Sequence, residues 1–231
     1  MRDVEISEGE LYHVFNRGTE KRKIFLSKKD YERFLVNLVL FNTEDLTVAN
    51  ISRYDLEGSF ESMPEKALVK IHAFVLLPNH FHFILEPLVK DGISRLMHRL
   101  EMGYSKYFNK FYSRSGNLFQ GAYKIVHVGN DAYFNYLPLY IHLNPLDLLS
   151  AEVNWKEKGI RNKKEALRFL REYQWSSLPA YLNIRGYPFV EKDLFSQIYE
   201  KSKDWERELT GWLPEEGTEE MCNTECCTNV V

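Results

Sequence analysis

Two apolar runs lie back to back in the middle of this chain. Residues 68–76 read LVKIHAFVL and residues 80–85 read HFHFIL, with Pro78 and Asn79 between them. Runs this rich in β-branched and aromatic residues read as strands, and a Pro-Asn pair makes a turn, so the two are expected to pair side by side and antiparallel. Pro87 closes the second run. Whatever else the chain does, it must cover the apolar faces of that hairpin.

The flanking sequence supplies the cover. Residues 11–16, LYHVFN, have the composition of another strand, after which Arg17 and Gly18 open a polar, basic turn. Ser27 is placed to cap a helix, with Asp30 at the third helical position in place of a capping-box Glu. Tyr31, Phe34, Leu35, Leu38 and Leu40 give that helix an apolar face ending near Phe41. Residues 43–67 are polar and irregular, with Gly58 and Pro64, and read as a loop. Beyond the hairpin, Asp91 is placed to cap a long helix in which Ile93, Leu96, Met97, Leu100, Tyr104, Tyr107, Phe108 and Phe111 recur at helical spacing. Ser115, Gly116 and Asn117 make a turn, residues 118–128 (LFQGAYKIVHV) read as a strand, and a last helix runs from Asn130 or Asp131 to about Asn144, where Pro145 stops it.

The order is β-α-β-β-α-β-α. Its first six elements are those of an α+β, ferredoxin-like split βαβ, an antiparallel sheet with helices on one face. Residues 1–145 are thus expected to form one domain and residues 146–214 a C-terminal helical extension, with amphipathic stretches near 163–173 and 192–202. Residues 215–231 read as an acidic flexible tail. All three cysteines, Cys222, Cys226 and Cys227, lie there, which argues against a disulfide framework.

Net charge is −3, which taken alone argues against a nucleic-acid partner. The tail accounts for it, carrying five acids and no base and leaving 30 basic against 28 acidic residues elsewhere. Residues 17–29 hold Arg17, Lys21, Arg22, Lys23, Lys28 and Lys29 against the single acid Glu20. A local cluster of this kind can bind phosphates on a near-neutral protein, and it also suits a solvated surface. The N-terminal MRDVEISEGE is unlike a signal peptide, and no apolar run reaches the roughly 18 residues of a membrane span. The expectation is a soluble, cytoplasmic protein with no membrane partner.

Two local patterns carry chemistry. In a strand, His80 and His82 project from the same face, so their imidazoles can share one metal ion, while Phe81 and Phe83 point the other way. Two ordinary histidines on a half-exposed strand give the same pattern. In the last helix Tyr140 and Asn144, four residues apart, share a face, and Tyr136 extends the stripe one turn back. An aromatic core stripe has the same spacing.

The segments YHVFNRG (12–18), LLPNHFHFILEP (76–87), RSGNLFQGAYK (114–124) and YIHLNP (140–145) occur in this order. Together they resemble the REP-associated tyrosine transposases, within the HUH single-strand transposases that carry one catalytic tyrosine. The resemblance covers about residues 10–145, and WSSLPAYL (175–182) is similar to a piece often found after that core. It implies that His80 and His82 are the metal pair, that Asn144 is the third ligand and that Tyr140 is the nucleophile. The metal is then Mg²⁺ or Mn²⁺ rather than zinc, which prefers a closed site with softer ligands. The implied substrate is a single-stranded DNA hairpin of a repeated palindromic element, met by a monomer or a homodimer. Arg17, Lys21, Arg22, Lys23 and Lys124 are the candidate backbone contacts, and Phe119 is a candidate to stack on an unpaired base or, equally, to fill the core. Two features depart from the pattern. Pro138 sits inside the tyrosine helix and is expected to kink it, and Ala122 stands where related sequences often carry arginine. A hairpin-binding protein that no longer cuts, and a metal-dependent hydrolase using an activated water, are the alternatives.

Overall fold

A computed structural model describes residues 4–46, 64–149, 159–160, 162–199 and 202–213. The acidic tail with its cysteines, and most of the loop expected after Phe41, lie outside the described residues. By compactness the chain divides into two units. The first runs to Val128 and includes Tyr187–Glu191; the second holds Gly129–Gly186 and the chain from Lys192 onward.

The first unit is built on β1 (Tyr12–Arg17), α1 (Lys28–Phe41), β2 (Val69–Leu77), β3 (His80–Pro87), α2 (Gly92–Phe111) and β4 (Lys124–His127). The sheet order is β2-β3-β1-β4 and every neighbouring pair is antiparallel, the arrangement of a split βαβ. Alternation sorts the side chains. Phe81 and Phe83 of β3 turn toward the helices, where Phe34 of α1 meets Phe81 at 5.2 Å and Tyr104 of α2 edge-on at 5.0 Å. The other face of β3 carries His80 and His82.

The expected capping box closes at α1, and Asp30 does more than cap. Its buried carboxylate accepts from the backbone N–H of Leu26 and of Ser27, both at 2.8 Å, and from the hydroxyls of Tyr107 (3.0 Å) and Tyr112 (2.8 Å). It therefore ties the start of α1 to the end of α2. Asp30→Ala should lower stability by about 3 kcal/mol, because a cap is lost and several buried donors are left without an acceptor. A urea titration of the two proteins checks this, and equal midpoints would refute it.

Three sequence expectations change. Asp91 lies in the left-handed region (φ 59°) and makes no side-chain cap to α2; the chain turns there so that Gly92 can pass Leu68, whose carbonyl oxygen would stand 2.4 Å from any added Cβ. The strand expected over 118–128 shrinks to Lys124–His127, because Gly121 at φ +76° turns the chain and only an isolated bridge, Gly18 to Phe119, precedes it. The segment 192–202 is not one helix: the four-residue α7 (Asp193–Ser196) and the separate α8 (Ser202–Gly211) take its place.

The second unit contains α3 (Asp131–Leu143), α4 (Leu146–Leu149), α5 (Lys163–Glu172), α6 (Leu178–Tyr181), α7 and α8. Compactness thus groups α3 with the helices that follow it, whereas the sequence boundary at 145 grouped it with the sheet. Asn130 caps α3, accepting from Tyr133 N–H at 2.8 Å, and the helix continues through Pro138 as one element. His142, fully buried, shares a 2.8 Å hydrogen bond with the Ser177 hydroxyl and lies among the rings of Tyr181 and Trp205. That contact gives the WSSLPAYL segment a physical task, holding the inner side of α3. Among the described residues no helix is long and apolar enough to cross a membrane.

Candidate metal and nucleic-acid site

The site grows out of the pairing of β1 with β3. Arg17 lies opposite His80, Phe15 opposite His82 and His13 opposite Ile84, so six side chains share one face of two adjacent strands. The rings of His80 and His82 are 5.2 Å apart, centre to centre, and nearly perpendicular. His82 is 3% exposed and His80 is half-buried.

Each of these imidazoles has its Nδ1 in a hydrogen bond. His80 Nδ1 donates to Asn79 Oδ1 at 2.7 Å, and the orientation of that amide follows from Asn79 Nδ2, which donates to the Lys21 carbonyl at 3.3 Å. A neutral imidazole protonated at Nδ1 carries its lone pair on Nε2, the form that binds a metal. His82 Nδ1 lies 2.8 Å from Nε2 of His13. Burial pushes the His13 ring down to about 3, so it is neutral at physiological pH. Two imidazoles held this way fit a divalent ion. Among the described residues no group of three or more His, Cys, Asp or Glu could hold a metal.

The basic segment is held against this end of β3 by main-chain bonds. Ile24 N–H and Phe25 N–H donate to the Pro78 carbonyl (2.7 and 3.0 Å), and Gly18 N–H donates to the Asn79 carbonyl at 2.8 Å. Gly18 is needed here, since an added Cβ would lie 2.2 Å from the Arg22 carbonyl oxygen. The 114–124 segment joins from the other side. Thr19 N–H donates to the Leu118 carbonyl at 2.9 Å, Gln120 N–H to the Arg17 carbonyl at 2.8 Å, and the Arg17 guanidinium to the Gln120 side chain. Lys124 Nζ stands 5.8 Å from the centre of the Phe15 ring. Lys21 and Lys23 are exposed, while Arg22 is partly engaged with Glu20 at 3.5 Å. Three of the four linked motifs thus meet in the first unit.

The fourth lies in the second unit. Tyr140 is half-buried, stacked on Tyr136 at 5.4 Å, and Tyr136 in turn leans on Trp212. Burial pushes the Tyr140 hydroxyl up to about 12, against a lowering contribution from Asn144. Asn144 Nδ2 donates to the Tyr140 carbonyl at 2.9 Å, which fixes the orientation of an amide that is only 2% exposed.

Sequence reasoning missed two residues, His13 and Asn79. Alternation along YHVFNR puts His13 on the same face as Phe15 and Arg17, but only the pairing with β3 shows that this face is the one bearing His82. Of the two readings of Phe119, the structure supports the core one. Phe119 is 6% exposed, set against Phe81 and Tyr104, and so belongs to the core rather than to a stacking surface.

No curated protein matches the chain. One solved structure, described as a REP-associated tyrosine transposase bound to a REP hairpin, aligns with a TM-score of 0.48 at 13% identity, over 83% of this chain and 97% of that one. The family model for IS200-like transposases matches residues 11–144, and on that match, which takes in more than half of its length, the chain belongs to the IS200-like transposase family.

Proposed function

We propose that this chain cuts and rejoins single-stranded DNA at hairpin sites, with Tyr140 as nucleophile and Mg²⁺ or Mn²⁺ held by His80, His82 and Asn144. The observation that carries the reading is the shared face of His80 and His82, with both Nδ1 atoms in hydrogen bonds. In the first step the Tyr140 oxygen bonds to phosphorus and the bond from phosphorus to the 3′ oxygen breaks. The 3′ oxygen takes up a proton, and the downstream strand stays on the enzyme as a 5′-phosphotyrosine. In the second step a 3′-OH attacks that phosphorus and Tyr140 leaves. One phosphodiester is exchanged for another through an ester of similar energy, so no external energy source is required. A bound divalent ion would withdraw charge from a non-bridging phosphate oxygen. Tyr140, with a hydroxyl held up to about 12, must lose its proton as the new bond forms.

Arg17, Lys21, Arg22, Lys23 and Lys124 would contact phosphates. Affinity for a hairpin should then fall steeply with salt, because each contact releases condensed counterions. Exchanging exposed Lys21 and Lys23 for alanine should flatten the plot of log affinity against log salt by about 1.5. Removing residues 215–231 should leave binding unchanged or slightly stronger. Unchanged slopes in the double variant, or lost binding on removing the tail, would refute the charge argument.

The test of the whole reading is a hairpin oligonucleotide incubated with Mn²⁺ or Mg²⁺ and resolved under denaturing conditions. A covalent adduct carrying the 5′ end of the downstream fragment is expected. Cleavage with no adduct would make water the nucleophile, and binding with no cleavage would leave a hairpin-binding protein.

A further inference from the structure

We propose that His13 is a positioning residue that sets the tautomer of His82, and so decides whether His82 can bind a metal; this rests on the reading of His82 as a metal ligand. The carrying geometry is the 2.8 Å approach of His13 Nε2 to His82 Nδ1, in a place where His13 is fully buried. At that distance one nitrogen of the pair donates and the other accepts. If His13 donates, the neutral His82 ring carries its proton on Nε2 and has no lone pair there. If His13 accepts, His82 is protonated at Nδ1 and Nε2 becomes the ligand atom. His80 makes the same choice with the simpler acceptor Asn79, which can only accept through its Oδ1. The two ligand histidines are thus backed by two different acceptors from two different segments.

Orientation is set as tightly as protonation. His13 stacks on His82 with ring centres 5.1 Å apart and planes at 20°, and Phe15 stacks on both, at 4.7 Å from His13 and 5.4 Å from His82. Three near-parallel rings on neighbouring strands leave His82 little freedom to turn about its own χ2. Residues that hold the second nitrogen of a metal-bound histidine typically change metal affinity by about 10- to 100-fold when removed.

Two variants separate the hydrogen bond from the packing. His13→Phe keeps a ring in the stack and removes the acceptor; His13→Gln gives up the ring and keeps an amide oxygen that can accept. The probe is Mn²⁺ alone, titrated by calorimetry into the full chain, with thermal unfolding to show that each variant folds. Affinity should fall about 10- to 100-fold in His13→Phe and recover most of the way in His13→Gln. Nitrogen NMR of the metal-free protein gives a second readout, with the His82 proton on Nδ1 in the parent chain and shifted toward Nε2 in His13→Phe. An Nε2-protonated His82 in the parent chain, or equal Mn²⁺ affinity in a folded His13→Phe, overturns the proposal while leaving the metal reading intact. Mn²⁺ binding that is absent from the parent chain, or unaffected by His80→Ala, overturns the metal reading and this proposal with it.

Discussion

Tyr140→Phe should abolish the covalent protein–DNA adduct while leaving hairpin affinity nearly unchanged. The substitution removes one hydroxyl and nothing else. The Asn144 Nδ2 bond to the carbonyl of residue 140 survives, the side-chain hydrogen bond between Asn144 and the hydroxyl is lost with the hydroxyl, and a phenyl ring keeps the stack on Tyr136. Losing the nucleophile of a covalent mechanism costs on the order of 10³-fold or more in rate. Tyr136→Phe should keep most of the activity, since the ring is what packs against Tyr140 and Trp212. The parent reaction should also speed up with pH. With the hydroxyl held up to about 12, the ionised fraction at neutral pH is small and grows about tenfold for each pH unit below that value. Denaturing gels of adduct against time, across pH, read all three. An adduct in Tyr140→Phe but not in Tyr136→Phe would move the nucleophile one turn along α3 and leave the rest of the scheme standing.

His80→Ala should lose metal binding and cleavage together. His80 is half-buried and its removal opens little space, so the variant is expected to fold as the parent does. Loss of a ligand should exceed the about 10- to 100-fold typical of an outer partner, and DNA affinity measured without metal should hold. His82→Ala should lose the same activity with an added cost in stability, because His82 is buried against the rings of His13 and Phe15 and is hydrogen-bonded to His13. Mn²⁺ calorimetry, unfolding midpoints and gel cleavage on the two variants separate these terms. Cleavage at the parent rate in His80→Ala would remove the metal from the mechanism.

What the amino-acid order determined by itself is whatever follows from local periodicity. A strand repeats every two residues, so HFHF alone puts His80 and His82 on one face and Phe81 and Phe83 on the other. A helix repeats every 3.6, so Tyr140 and Asn144 had to share a face, and Ser27 with Asp30 had to sit where a capping box closes. These are consequences of backbone dihedrals within a few residues, and they hold before any long-range contact forms. Turn chemistry was less complete, because Gly121 interrupts an apolar run whose composition still reads as strand.

Tertiary structure decided everything that depends on register between distant segments. That Arg17 meets His80, and that the His13 side of β1 faces His82, follows from pairing strands more than sixty residues apart in the chain. A slip of one residue would turn every one of those side chains to the other face. The pairing is chosen by what it buries, Tyr12, Val14, Phe81 and Phe83 together under α1 and α2, and no window of sequence contains that choice. The same holds for Phe119. An aromatic in a glycine-rich loop can stack on a base or fill a core, and only the position of Phe81 and Tyr104 beside it settles the question.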